Sequence, residues 1–126
     1  MRSSHPFLLI SGRLLGLTGV ALGAFGAHGL KTTFEVTGGL ENWKTAVLYQ
    51  LIHAVALLAL SNRTEPVVRR VGIFWTLGVI MFSGSLYLLA VDAPVRFLWP
   101  FTPAGGLALL LGWAALSLSA LRQPKA

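Results

Sequence analysis

A chain of 126 residues that is 55% hydrophobic and only 11% charged, with a mean hydropathy of +0.72, carries about half the charge of a typical soluble domain. That composition excludes a water-soluble enzyme, and the net charge of +6 does not point to nucleic acid, because the basic residues lie mainly in tails and connections between apolar runs. Zero cysteines exclude disulfides, thiolate metal centres and cysteine nucleophiles.

Four apolar runs, at about 7–30, 43–61, 71–90 and 103–121, each approach the ~20 residues needed to cross ~30 Å of hydrocarbon. They use most of the chain, so the expectation is an all-α membrane protein with one transmembrane domain, residues 1–126. Short connections make it an antiparallel four-transmembrane-helix bundle, up-down-up-down.

Residues 12–30 of the first run read GRLLGLTGVALGAFGAHGL, with Gly12, Gly16, Gly19, Gly23 and Gly26 at alternating steps of four and three. Glycine costs about 1 kcal/mol relative to alanine in a helix exposed to water, so a stripe of them implies that another helix comes very close. That helix is either the second or fourth run of the same bundle, or a second copy of the chain. Arg13 lies near the start of the run, where its stem can reach the headgroups, and His28 lies at its end. The run reads as a retained helix and not as a cleaved leader.

The next stretch, KTTFEVTGGLEN, reads as a polar hairpin connection hinged at Gly38-Gly39. Trp43 then opens the second helix as an anchor at the membrane surface, and Tyr49, Gln50 and His53 follow before the plain run AVALLALS. In NRTEPVVRR, Pro66 suits the first turn of the third helix. That helix leads to FSGSLY, where Ser83 and Tyr87 are four apart and share a face. Asp92-Ala93-Pro94 marks a turn, and Phe97, Trp99 and Phe101 make an aromatic belt. Thr102-Pro103 reads as the N-cap and first residue of the fourth helix, with Trp113 near mid-membrane as a packing residue.

With four spans, one membrane face holds Arg2, Arg63, Arg69, Arg70, Arg122 and Lys125, and the other holds Lys31, Lys44 and Arg96. This bias puts both termini in the cytoplasm.

Taken together, GAFGAHGL at 23–30, YQLIHA at 49–54, FSGSLY at 82–87, and TPAGG at 102–106 with Gly112-Trp113 resemble the domain of unknown function 423 family. The resemblance covers nearly the whole chain in the right order. It implies a four-helix protein of the bacterial inner membrane with cytoplasmic termini, and it implies no reaction.

At 1.5 Å per residue His53 lies roughly 15 Å deep, near the midplane. His28, Tyr49, Gln50, Ser83, Tyr87 and Thr102 fall in the same outer half, so every helix contributes polar atoms to one layer. One reading is a polar cavity that relays protons or holds a metal ion or lipid head group; intramembrane ionisable groups are functional candidates by default. The other is a set of interhelical hydrogen bonds, each contributing about 0.6 kcal/mol and setting register. Two histidines at different depths, without an intramembrane carboxylate, make an incomplete set for a metal or a haem, so neither metal nor cofactor is expected. A hydrolytic triad lacks its acid, because the acidic residues all lie in connections. The expectation is a non-enzymatic packing, scaffold or accessory protein of the bilayer, in a homo-oligomer or larger membrane complex.

Overall fold

The computed structural model describes residues 5–122 and Pro124. Its elements are helix α1 (Pro6–His28), a short helix α2 (Lys31–Thr37), α3 (Leu40–Leu60), α4 (Pro66–Ala90), a single 3-10 turn at Arg96–Leu98, and α5 (Phe101–Leu121). The four long helices are apolar and long enough to cross a membrane, and no strand occurs among the described residues. Arg2 and Lys125 lie outside the described residues.

The long helices alternate in direction and pack in chain order: α1 on α3, α3 on α4, α4 on α5. α1 and α5 stand at the two flanks and make no substantial contact with each other, so the bundle is an open row and not a closed ring. Its interior lies along α3 and α4. Leu57, Val71, Trp75 and Val79 are essentially inaccessible there, and Leu8 of α1 and Leu109 of α5 close the cluster from the flanks.

Close approach is what the glycines supply. All five positions of the α1 stripe face α3. A Cβ at Gly12 would stand 2.8 Å from Leu58 Cγ, one at Gly19 2.7 Å from Leu51 Cδ2, and one at Gly23 3.3 Å from Val47 Cγ1. At Gly26 it would meet the indole of Trp43, whereas at Gly16 it would reach only ordinary contact with Ala54, 3.9 Å away. A second seam joins α4 to α5, where a Cβ on Gly105 would stand 2.5 Å from the Phe82 backbone nitrogen and one on Gly78 2.7 Å from Leu109 Cδ2.

Three local expectations change. The stretch after His28 is not an irregular polar connection: residues 31–37 form α2, which buries Phe34 against Trp43 (ring centroids 5.6 Å) and ends at Gly38, with φ 70 in the left-handed region that glycine adopts freely. Two apolar residues in seven, Phe34 and Val36, are too short a signal for helical periodicity. Trp43 is not a surface anchor either, because it is 6% exposed and its indole Nε1 donates to Leu22 O at 2.9 Å. Thr102 does not cap α5, which begins at Phe101 after Pro100; its hydroxyl instead pairs with Ser85 Oγ at 2.6 Å. Pro66 does open α4, after Glu65.

The turns at the two ends are specific. Asp92 takes φ 53, and with Asp92 N to Leu89 O at 3.1 Å and Ala93 N to Leu88 O at 3.0 Å it closes α4 in a Schellman motif, aspartate standing where glycine is usual. Thr37 Oγ1 donates to Ala90 O at 2.8 Å and accepts from Gly39 N at 3.1 Å, while a side chain on Gly39 would collide with the Ala90 carbonyl. At the other end, Arg63 bonds Glu65 at 2.7 Å and holds its carboxyl below the ordinary range.

The α4/α5 seam yields a matched pair of substitutions. Gly105→Ala is expected to lower stability by about 1–3 kcal/mol, because the obstructing atoms are backbone. Gly84→Ala, with nothing within 4 Å of the added Cβ, is expected to leave stability unchanged or raise it by up to about 1 kcal/mol. Thermal unfolding of the two variants in detergent measures the difference.

Candidate functional site

Gln50 sits one turn before His53 on α3, 4% exposed and facing both neighbouring helices. Its amide Nε2 donates to Leu15 O at 3.0 Å and to Thr18 Oγ1 at 2.8 Å on α1, and its Oε1 accepts from the Tyr87 hydroxyl on α4 at 2.7 Å. Thr18 passes its own proton to Leu14 O at 2.8 Å. Both amide protons and the amide oxygen are therefore engaged, and one side chain ties three helices together. Four residues before Gln50, Ala46 offers its carbonyl to Ser83 Oγ of α4 at 2.7 Å.

His53 forms a second link. Its Nδ1 lies 2.7 Å from Tyr49 O, and its Nε2 lies 3.0 Å from the indole Nε1 of Trp113 on α5. A carbonyl only accepts and an indole N–H only donates, so these partners select the neutral tautomer with the proton on Nδ1. A proton on Nε2 would face the indole N–H and break the link. Around the imidazole stand Trp75 (5.6 Å between centroids), Trp113 (6.0 Å) and Tyr49 (6.3 Å), with Trp75 and Trp113 only 4.5 Å apart. Trp75 is fully buried beside Gly112, where any side chain would press on its indole.

The expected polar layer is thus partly assembled. Gln50 bonds Tyr87, Tyr49 stacks on His53, Ser83 bonds a backbone carbonyl, and Thr102 bonds Ser85. His28 is not among them, being exposed at the end of α1. Gln50, His53, Ser83, Tyr87 and Thr102 are paired in separate links between neighbouring helices, while Tyr49 stacks on His53 of its own helix. Only Tyr49 and His53 border a groove of about 490 Å³, which opens on the flank between α3 and α5 and is otherwise apolar, with Phe82, Leu109, Leu110 and Trp113. Among the described residues no three His, Cys, Asp or Glu side chains converge.

Three participants are absent from the sequence-based set: Thr18, Ser85 and Trp113. The signal for Trp113 was present, since an indole proton at mid-depth in hydrocarbon needs an acceptor. His53 and Trp113 both lie roughly 20 Å along their helices from the same end. Thr18 carried a weaker one, as a lone hydroxyl beside Gly19 of the stripe.

The Gln50 junction is testable by a double-mutant cycle. Gln50→Leu is expected to cost about 1–3 kcal/mol, because it leaves the Tyr87 hydroxyl unpaired. Combined with Tyr87→Phe it should cost less than the sum of the two single changes, by about 0.5–2 kcal/mol. Unfolding of the four proteins in one detergent gives the coupling.

Comparison with known proteins agrees with this architecture. The family profile described as "Protein of unknown function (DUF423)" matches residues 22–106. The chain is 42% identical over 126 aligned positions to the UPF0382 inner membrane protein YgdD of Escherichia coli (strain K12), covering 92% of this chain and 90% of that one. It is 37% identical over 117 positions to the UPF0382 membrane protein SSP2132 of Staphylococcus saprophyticus, covering 90% and 96%. No solved structure matches significantly. With the profile spanning most of the bundle and such relatives aligned nearly end to end, the chain belongs to the DUF423 family of integral membrane proteins of uncharacterised role.

Proposed function

We propose that this protein is a non-enzymatic accessory subunit of a bacterial inner-membrane assembly, with both termini in the cytoplasm. The observation that supports it best is the pairing within the polar layer: Gln50, Tyr87, Ser83, His53 and Thr102 are occupied with one another's helices. A carrier needs polar groups that exchange partners with a substrate; here they fasten helix to helix. The open row adds a second argument, because the long flanks of α1 and α5 bury only 22% and 17% of their most apolar stretches within the protomer. Such flanks suit a protein that packs beside others in the bilayer. The positive-inside bias carries the orientation, with Arg63, Arg69, Arg70 and Arg122 at the end that bears the termini and Lys31 and Lys44 at the opposite end.

Cross-linking in native membranes, followed by extraction in mild detergent and mass analysis, is expected to give a species heavier than the 13.5 kDa of one chain. A lone chain, together with a proton flux in reconstituted vesicles that His53→Ala abolishes at unchanged melting temperature, would make the protein a carrier instead.

Orientation has its own test. Because the chain has no cysteine, Val36→Cys, at a site 84% exposed, supplies a unique thiol. It should react with an impermeant reagent added to intact spheroplasts. Labelling that appears only after lysis would reverse the assignment.

A further inference from the structure

Arg69 and Arg70 follow each other on α4, so about 100° of helix rotation separates them. Each borders a different groove: Arg69 one with Phe7 and Ile73 toward α1, Arg70 one toward α5. The α5 side is the larger, about 760 Å³, within the roughly 300–1,000 Å³ of small-molecule sites. It is built from two helices with opposite chemistry at its two levels. Arg70 and Arg122, from the start of α4 and the end of α5, stand at the rim, while Phe74, Ala115 and Leu118 form an apolar trough further into the span.

Among the described residues the only carboxylate bordering this groove is Glu65, and it is engaged by Arg63 at 2.7 Å. The other acidic side chains of the sequence, Glu35, Glu41 and Asp92, belong to the opposite end of the bundle. Among the described residues neither Arg70 nor Arg122 forms an ion pair. Two uncompensated cations thus sit above an apolar trough at the level where helices leave the hydrocarbon. A phospholipid has the complementary order along its length, an anionic phosphate above an acyl chain. A soluble anion would match the rim and leave the trough unused.

We infer that the α4/α5 groove binds an anionic phospholipid, with its phosphate between Arg70 and Arg122 and one acyl chain along Phe74, Ala115 and Leu118. The site is independent of any assembly partner and of which membrane face bears the termini.

Native mass spectrometry of the full chain in detergent, with equal phosphatidylglycerol and phosphatidylcholine added, tests this. The protein is expected to retain phosphatidylglycerol in preference to phosphatidylcholine. Arg70→Gln with Arg122→Gln should lower that retention roughly tenfold, whereas Lys31→Gln with Lys44→Gln, the same loss of charge at the opposite end, should not. Ala115→Phe keeps both arginines but fills the trough, and should lower retention as well; melting temperatures verify that each variant is folded. sn-Glycerol 3-phosphate should not displace the lipid. Equal retention of both lipids, equal loss in the two double variants, no loss in Ala115→Phe, or displacement by glycerol phosphate would each overturn the assignment.

Discussion

Between the ends of its helices the chain meets no water, so a polar atom there either finds its partner within the protein or, like Trp75 Nε1 and Thr76 Oγ1, stays buried without one at a cost. Gln50 is the point at which that requirement shapes the most structure. An amide carries two donors and an acceptor, and no single neighbouring helix satisfies them all. Here α1 accepts through Leu15 O and Thr18 Oγ1, and α4 donates through Tyr87. The bonds exist only because α1 lies close against α3, which the lack of a side chain at Gly19 permits: a Cβ there would stand 3.3 Å from Gln50 Nε2. The glycine stripe and the polar junction are therefore parts of one contact. Removing bulk brings the backbones together, and the approach places a carbonyl within reach of the amide.

α5 is attached by other means. Gly78 and Gly105 let its backbone rest on α4, and Gly112 gives room to the Trp75 indole. Two polar links then set its register, Ser85 with Thr102 near one end and His53 with Trp113 at mid-depth. Because the second link selects neutral His53, the imidazole donates to Tyr49 O through Nδ1 and accepts from Trp113 through Nε2, so both ring nitrogens are engaged. The arrangement leaves two surfaces for contacts beyond the protomer: the apolar flanks of α1 and α5, and the arginine-bearing end of the α4/α5 pair.

The corner at Ala90 shows how much a few residues organise. Thr37 bonds its carbonyl, Gly39 lies flat against it, and Phe34 and Trp43 cover it. α2 lays Phe34 over that corner, which belongs to α4 some 50 residues away in the chain.

Four long apolar runs determined the class of this protein, since hydrocarbon thickness and a helix rise of 1.5 Å per residue leave few alternatives for such a chain. Spacing alone also disclosed the glycine stripe and the position of His53 along its helix, because both are properties of one helix. Which helix the stripe meets, how α2 forms, and the joining of His53 to Trp113 depended on elements distant in sequence, and periodicity within a run carries no information about them. His28 and Gln50 illustrate the division. Both are polar residues in apolar surroundings by sequence, yet one ends exposed and the other ties three helices together. His28 is the last residue of α1, where three successive residues are exposed, whereas Gln50 lies mid-helix between two neighbours, and only packing against those neighbours sets which side chains meet.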